Sequence, residues 1–367
     1  MDNISYDDDK VLVVDEYAPV RPAAKKVSAR VEAIGVTKNC AEAFALLKEG
    51  RGLAAYAIFR MEAEDKCSDV AYCELGRCYL EGIGVGKDPK RAVKYLKLAA
   101  KVNNARALCI LGYAYRQGEG VVRSDATAVE YYAKAAELGY PVAAYNLANC
   151  YATGAGVKKN TQTALKYYEQ AAGAGHIKAA YSAAMMYLEG KGVPKDNARA
   201  FELMKTAADN GHTEARARLA LMMEKGQGGE RASDSALEFT RQAAKEGSPT
   251  ALFNLGYYYY TGNGVEKNYV KAFALFKKAA EKELPSAYTW MGVCYENGMG
   301  VMQNATEAAR YYKLAAEKDE VYGLFNLGRC YLYGRGVTKN ISSARKHLTR
   351  ARELGHPKAM EELAKCH

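Results

Sequence analysis

The feature that most constrains this chain is a period. GIGV at 82–85 returns as GEGV at 118, GAGV at 154, GKGV at 190, GQGG at 226, GNGV at 262, GMGV at 298 and GRGV at 334, always 36 residues further on. Self-similarity at this spacing marks a repeat array, in which each copy is one supersecondary element stacked on the next. The period also rules out reading GIGVGK at 82–87 as a phosphate cradle. A P-loop needs Gly where Glu81 stands and a hydroxyl residue where Asp88 stands. A dinucleotide fingerprint needs a third Gly where Lys87 stands. Eight copies of one turn make a solenoid; eight phosphate loops in 367 residues make no sensible enzyme.

Each copy reads as a helix pair. In residues 251–286, Ala251 to Thr261 has helical spacing, with Leu255 and Tyr259 on one face. Gly262 ends that helix, because a residue without Cβ enters the left-handed conformation freely. Gly264 reverses the chain and Val265 tucks under the turn. Asn268 is placed to cap a second helix over roughly 269–282. The cap position holds Asp88, Ser124, Asn160, Asp196, Asn268, Asn304 and Asn340; only Ala232 departs. Asn304 and Asn340 also fit glycosylation spelling, but capping is the simpler role. Ala272 and Ala279 lie on one face, and both positions are Ala in all eight copies, which lets helix backbones approach closely. Gly139, Gly175, Gly211, Gly247 and Gly355 end second helices.

The predicted organisation is therefore an N-terminal extension (1–39), partly extended or disordered, and a degenerate capping repeat (40–70). Eight repeats follow at 71–106, 107–142, 143–178, 179–214, 215–250, 251–286, 287–322 and 323–358. A truncated capping helix (359–367) closes the array. In the extension, VLVV at 11–14 is the only strand-like run and APVRPAAKK at 18–26 reads as a linker. The repeat at 215–250 replaces Val with Gly229, Tyr with Met223 and the cap with Ala232, and is expected to be a local weak point.

Hydrophobic content of 49% and eight prolines are globular values. Of nine cysteines, Cys78, Cys150, Cys294, Cys330 and Cys366 share one repeat position that elsewhere holds Ala114, Met186, Met222 and Tyr258. A site that accepts Cys, Ala and Met is a packing site. Neither a metal site nor a cofactor is expected, since no C-x-x-C pair or partnered His is present. With no apolar run long enough to span a bilayer and an acidic, polar start, the expected location is cytoplasmic.

The pattern A-x-x-x-L-G-x-x-Y-x-x-G-x-G-V-x-K-D/N, then K-A-x-x-Y-Y-x-K-A-A, resembles the Sel-one-like repeat family, a branch of the tetratricopeptide-like helical repeats. Residues 107–142 carry it as Leu111-Gly112, Tyr115, Gly118, Gly120, Val121, Ala128, Tyr131-Tyr132 and Ala135-Ala136. The resemblance covers 71–358 and implies an all-α, right-handed superhelical solenoid acting as a non-catalytic protein-interaction scaffold or adaptor. Some cysteine-rich bacterial relatives are credited with binding or hydrolysing β-lactams, which makes that activity the alternative. Here the second-helix partner for their disulfide is replaced by Ala99-Ala100 and counterparts. A self-associating structural assembler is a further alternative to a monomeric adaptor.

In such a solenoid the first helices line the concave side. The first, fifth, sixth, eighth and ninth repeat positions are core. The fourth and seventh lie three apart on the opposite face and vary in chemistry, as a recognition surface should. Candidate partner-binding residues there are Arg77, Tyr113, Asn146, Asn149, Asn254, Tyr257, Trp290, Asn326 and Arg329. Asn can hold an extended peptide backbone, Arg329 beside Asn326 can take a carboxylate, and Trp290 with Tyr257 and Tyr288 offers an aromatic anchor. The expected ligand is a protein or peptide, not nucleic acid, which would call for basic residues among exposed aromatics. A basic loop row (Lys87, Arg123, Lys159, Lys195, Arg231, Lys267, Lys339, broken by Gln303) reads first as a solvated edge. No Ser–His–Asp or paired-carboxylate cluster is legible among the five histidines and the acids.

Overall fold

A computed structural model of the chain describes residues 38–229 and 232–366. The linker and the strand-like run expected in 1–37, and Arg231 of the basic row, lie outside the described residues. These contain 19 α-helices and no strand. The chain divides into two compact units, one ending at Asp196 and the other starting at Asn197.

The N-terminal unit holds α1 (Lys38–Lys48), α2 (Gly52–Lys66), α3 (Asp69–Glu81), α4 (Pro89–Lys101), α5 (Ala105–Gln117), α6 (Asp125–Glu137), α7 (Pro141–Thr153), α8 (Thr161–Gly173) and α9 (Ile177–Glu189). The C-terminal unit holds α10 (Asn197–Asp209), α11 (Thr213–Lys225), α12 (Ser233–Lys245), α13 (Pro249–Thr261), α14 (Tyr269–Glu281), α15 (Pro285–Asn297), α16 (Ala305–Glu317), α17 (Val321–Tyr333), α18 (Ile341–Glu353) and the short α19 (Ala359–Leu363). Each helix from α3 to α18 is 13 residues long. A helix of that length is marginal by itself in water, so stability has to come from packing.

Local sequence sets the ends of these helices. First helices stop where the chain enters the left-handed region, at φ +80° for both Gly82 and Gly262. Second helices start on a side-chain cap: Asp88, Ser124, Asn160, Asn268, Asn304 and Asn340 each accept a backbone N–H from the first turn, and Ala232 provides no such bond. First helices begin two residues earlier than the apolar pattern suggests. Their own caps, Ser68, Asn104 and Ser248 among them, stand before the first apolar residue.

Packing within a pair depends on small residues. The two second-helix Ala positions are buried in all eight repeats, from Ala92 and Ala99 to Ala344 and Ala351. Opposite them, the sixth position of the first helix admits a large side chain from the second. A Cβ on Gly76 would lie 2.5 Å from Leu96 Cγ, and one on Gly112 2.7 Å from the Tyr132 ring. Leu96, Tyr132, Phe276, Tyr312 and Leu348 are consequently among the most deeply buried side chains. Nearer the turn, the ninth-position Tyr stacks on a second-helix ring: Tyr79 on Tyr95 at 5.7 Å, Tyr115 on Tyr131 at 5.4 Å, and Tyr331 on His347 at 5.8 Å.

The second turn glycine does more than reverse the chain. A Cβ on Gly120 would overlap the backbone of Pro89, one on Gly156 that of Asp125, one on Gly300 that of Tyr269 and one on Gly336 that of Ala305. Each is the first residue of the preceding repeat's second helix. The glycine is thus the point where one repeat rests on the next, backbone to backbone.

Candidate functional site

Repeat positions four and seven are neighbours on a helix surface. In the C-terminal unit they place Arg218 and Leu221 on α11, Asn254 and Tyr257 on α13, Trp290 and Val293 on α15, and Asn326 and Arg329 on α17. The face is less open than spacing alone suggests. Asn254 is buried, Trp290, Asn326 and Arg329 are half-buried, and Tyr257 is 41% exposed.

An aromatic cluster forms its centre. The Trp290 ring meets Tyr257 at 5.2 Å and Tyr260 at 4.9 Å, both nearly edge-on, and Phe276 at 5.6 Å. Edge-to-face geometry sets the positive edge of one ring on the negative face of another. Tyr260 takes the place that the sequence reading gave to Tyr288, which makes no ring contact with the indole. Tyr288 lies two residues before Trp290, about 200° around the same helix, and so points elsewhere.

Three polar side chains at these repeat positions are uncommitted. Asn254 Nδ2 is buried without a hydrogen-bond partner, a situation that costs about 1–3 kcal/mol. Asn326 makes no side-chain hydrogen bond and Arg329 no ion pair among the described residues. The Arg329 guanidinium lies 5.7 Å from the centre of the Phe325 ring. Burial pushes the Glu362 carboxyl up, but the hydrogen bonds from Tyr333 and Lys365, with the charges of Lys365 and then Arg329, together hold it below its ordinary value. Its oxygens are held by Tyr333 Oη at 2.6 Å and Lys365 Nζ at 3.1 Å.

The same positions in the N-terminal unit are satisfied internally. Glu74 on α3 is buried, bonded to Arg77 at 2.8 Å and to Arg106 on α5. Asn146 on α7 reaches Cys109 Sγ at 3.8 Å, and Asn149 accepts a hydrogen bond from Tyr168. Tyr113 on α5 is half-buried and partnered. Of the nine candidates, the structure sets Asn254, Tyr257 and Trp290 around one cluster and Asn326 and Arg329 side by side on α17. Arg77, Tyr113, Asn146 and Asn149 belong to a different unit and have internal partners. Sequence reasoning missed Arg106, whose equivalents are Val142, Lys178, Glu214, Thr250, Ser286 and Tyr322. The one available signal was a Glu and an Arg about one repeat apart.

The model of the Sel1 repeat family matches eight consecutive segments: 69–104, 105–140, 141–176, 177–212, 213–248, 249–284, 285–320 and 321–356. The chain belongs to the Sel1 repeat family. It is similar to a protective antigen of uropathogenic Escherichia coli strains displaying an SLR fold. The two are 27% identical, 89% of this chain and 79% of that one are covered, and the TM-score is 0.60. A Sel1 repeat protein from Oxalobacter formigenes is 26% identical over 89% of this chain and 94% of that one, with a TM-score of 0.61. No curated protein matches the chain. The Sel1 repeat is a protein-interaction scaffold fold.

Each matched Sel1 segment opens on the first residue of a first helix, and the residue before it is that helix's cap. This explains the histidines after Gly. His176 Nδ1 accepts the Ala179 N–H at 3.1 Å and His212 Nδ1 the Ala215 N–H at 3.1 Å; His356 Nδ1 accepts the Lys358 N–H at 3.2 Å in the turn before α19, whose own cap position is Lys358. An Nδ1 acceptor requires a neutral ring. Burial, helped by Lys178, lowers the His176 pKa to about 4. The Sel1 basic row has a local role too. The Lys87, Lys195 and Lys267 stems pack over the helix-ending glycines Gly82, Gly190 and Gly262. Gln303, in the same position, donates to the Glu296 carbonyl at 2.7 Å. Cations are favoured at such helix C-termini.

The eighth-position cysteines are buried and none of them is in a disulfide. Burial pushes the thiols of Cys78, Cys294 and Cys330 up to about 12, the pattern of inert core residues. Among the described residues no group of three or more His, Cys, Asp or Glu is placed to hold a metal, and no helix is long and apolar enough to cross a membrane.

Proposed function

We propose that this Sel1 repeat chain is a non-catalytic scaffold that holds a peptide or protein on its first-helix face, centred on Asn254, Tyr257 and Trp290. The observation that carries the reading is the unpartnered Asn254 amide, buried beside an exposed tyrosine and a half-buried tryptophan. A core position is not normally left with an open donor. Nδ2 is closed to solvent, so a partner's carbonyl would meet it only after the Asn254 side chain turns outward.

Function and stability then pull in opposite directions. Asn254→Leu, which replaces the open donor with apolar volume, is expected to raise the melting temperature by a few degrees while weakening partner capture. Recovery of cross-linked partners should fall about tenfold with Asn254→Leu or Tyr257→Ala, measured by quantitative mass spectrometry against the intact chain. Equal recovery from all three proteins would remove this face as the binding surface.

A further inference from the structure

We propose, taking the first-helix face as the binding surface, that the C-terminal unit takes an extended acidic segment of another protein. One apolar side chain of that segment lies against Tyr257 and Trp290, and a carboxylate meets Arg329.

The argument is an inventory of what is spent and what is open. The carboxylates around the face are spent within the unit, while the Asn326 amide, which makes no side-chain hydrogen bond, keeps its oxygen as well as its N–H groups available. Glu224 takes Tyr258 Oη at 2.7 Å and Asn263 Nδ2 at 2.8 Å, and Glu214 takes Ser248 Oγ at 2.8 Å. Glu320 takes Thr289 Oγ1 and the Gly323 N–H, and Glu296 takes Tyr312 Oη at 2.6 Å. Glu362 is held by Tyr333 and Lys365. Donors lack partners: the Trp290 indole N–H, the Asn326 amide and the Arg329 guanidinium have no hydrogen-bond or ion-pair partner among the described residues, and Asn254 Nδ2, closed to solvent, has none either. Such a surface is complementary to carbonyls and carboxylates and poor for a basic ligand. Net charge agrees, since residues 249–356 contain fifteen Lys and Arg against nine Asp and Glu. The Phe325 ring under Arg329 holds the guanidinium in place, which lowers the ordering cost of a bidentate carboxylate contact. In the N-terminal unit the corresponding Arg77 already has Glu74 and Glu81, and Arg106 has Glu74. In that unit Arg77 and Arg106 give an acidic chain no free cation.

The test is a selection of random dodecapeptides displayed on phage, panned against the intact chain and its variants. Selected sequences should be enriched in Asp and Glu around one aromatic or aliphatic residue. A synthetic peptide from that selection should bind more weakly as NaCl rises, and at least about tenfold more weakly to Arg329→Ala. Tyr257→Ala should remove the apolar preference and keep the acidic one. Circular dichroism melting checks that each variant folds. If Arg329→Ala does not, Arg329→Lys replaces it, keeping the charge and losing the bidentate fork.

Several results would overturn the acidic-partner inference: selection of neutral or basic peptides, failure to select any acidic peptide, an acidic preference unmoved by the Arg329 variants, or displacement of the peptide by a thymidine oligonucleotide of equal charge. If Tyr257→Ala still weakens the selected peptides, the binding face survives that failure. If neither Tyr257→Ala nor Asn254→Leu has any effect, the face falls too.

Discussion

At the scale of single residues, the histidine caps show how a position that suggests chemistry can serve structure. His176 stacks on Tyr145 at 4.6 Å and presents Nδ1 to the Ala179 N–H. Protonation would put a proton on the acceptor and break the cap. The folded pKa, at about 4, lies below the ordinary 6.5. The unfolded chain therefore binds the proton first as pH falls, and the stability of the capped form is complete above about 6.5 and lost progressively towards 4. His176→Asn keeps a cap that does not titrate. In denaturant titrations the two proteins should be about equally stable at pH 7.5. By pH 4 the His176 protein should have lost up to about 3 kcal/mol more. Parallel pH profiles for the two would show that the ring's protonation is unconnected with the cap. The asparagine caps were legible in the sequence because Asn, Asp and Ser are the usual capping residues. The histidine caps were not, because imidazole is an unusual cap and the apolar pattern begins three residues later.

At the scale of elements, the glycines of each turn divide their work. Gly264 and Gly336 share a left-handed conformation, φ +66° and +71°. A Cβ on Gly264 would only touch Leu237 Cδ2 at 3.4 Å, whereas one on Gly336 would overlap the Ala305 backbone. Gly264→Ala should therefore cost about 1–2 kcal/mol, the conformational penalty alone. Gly336→Ala should cost more than about 3 kcal/mol, because helix backbone cannot move aside as a side chain can. Thermal or urea unfolding of the two variants decides the matter: equal losses would mean that the glycine is needed only for its turn. The sequence reading identified the turn. The contact between repeats has no signature separable from it, because both demands select the same residue.

At the scale of the whole molecule, stability is expected to vary along the array, with its low point in the repeat formed by α11 and α12. Ala232 leaves α12 without a side-chain cap. Thr240 fills the core position that Phe276 and Tyr312 fill in the next two repeats, and spends its hydroxyl on the Ala236 carbonyl. Gly264 rests there on one leucine side chain instead of on backbone. In a repeat array such deficits stay local, since stability is a sum of repeats and their interfaces. Native-state hydrogen exchange should be faster in α12 than in α14 and α16. Equal protection would show that neighbouring repeats make up the loss. The period, the all-helical pairing, the turns and most caps followed from the sequence alone, because each arises from contacts within a few residues or exactly one repeat apart, and these leave a regular imprint. Which face residues remain free was decided only by the tertiary structure. Arg77 and Arg329 occupy the same repeat position, and one is neutralised by buried Glu74 while the other lies half-buried on Phe325 without an ion pair among the described residues. That difference depends on side chains from neighbouring helices, and no single repeat encodes its neighbours.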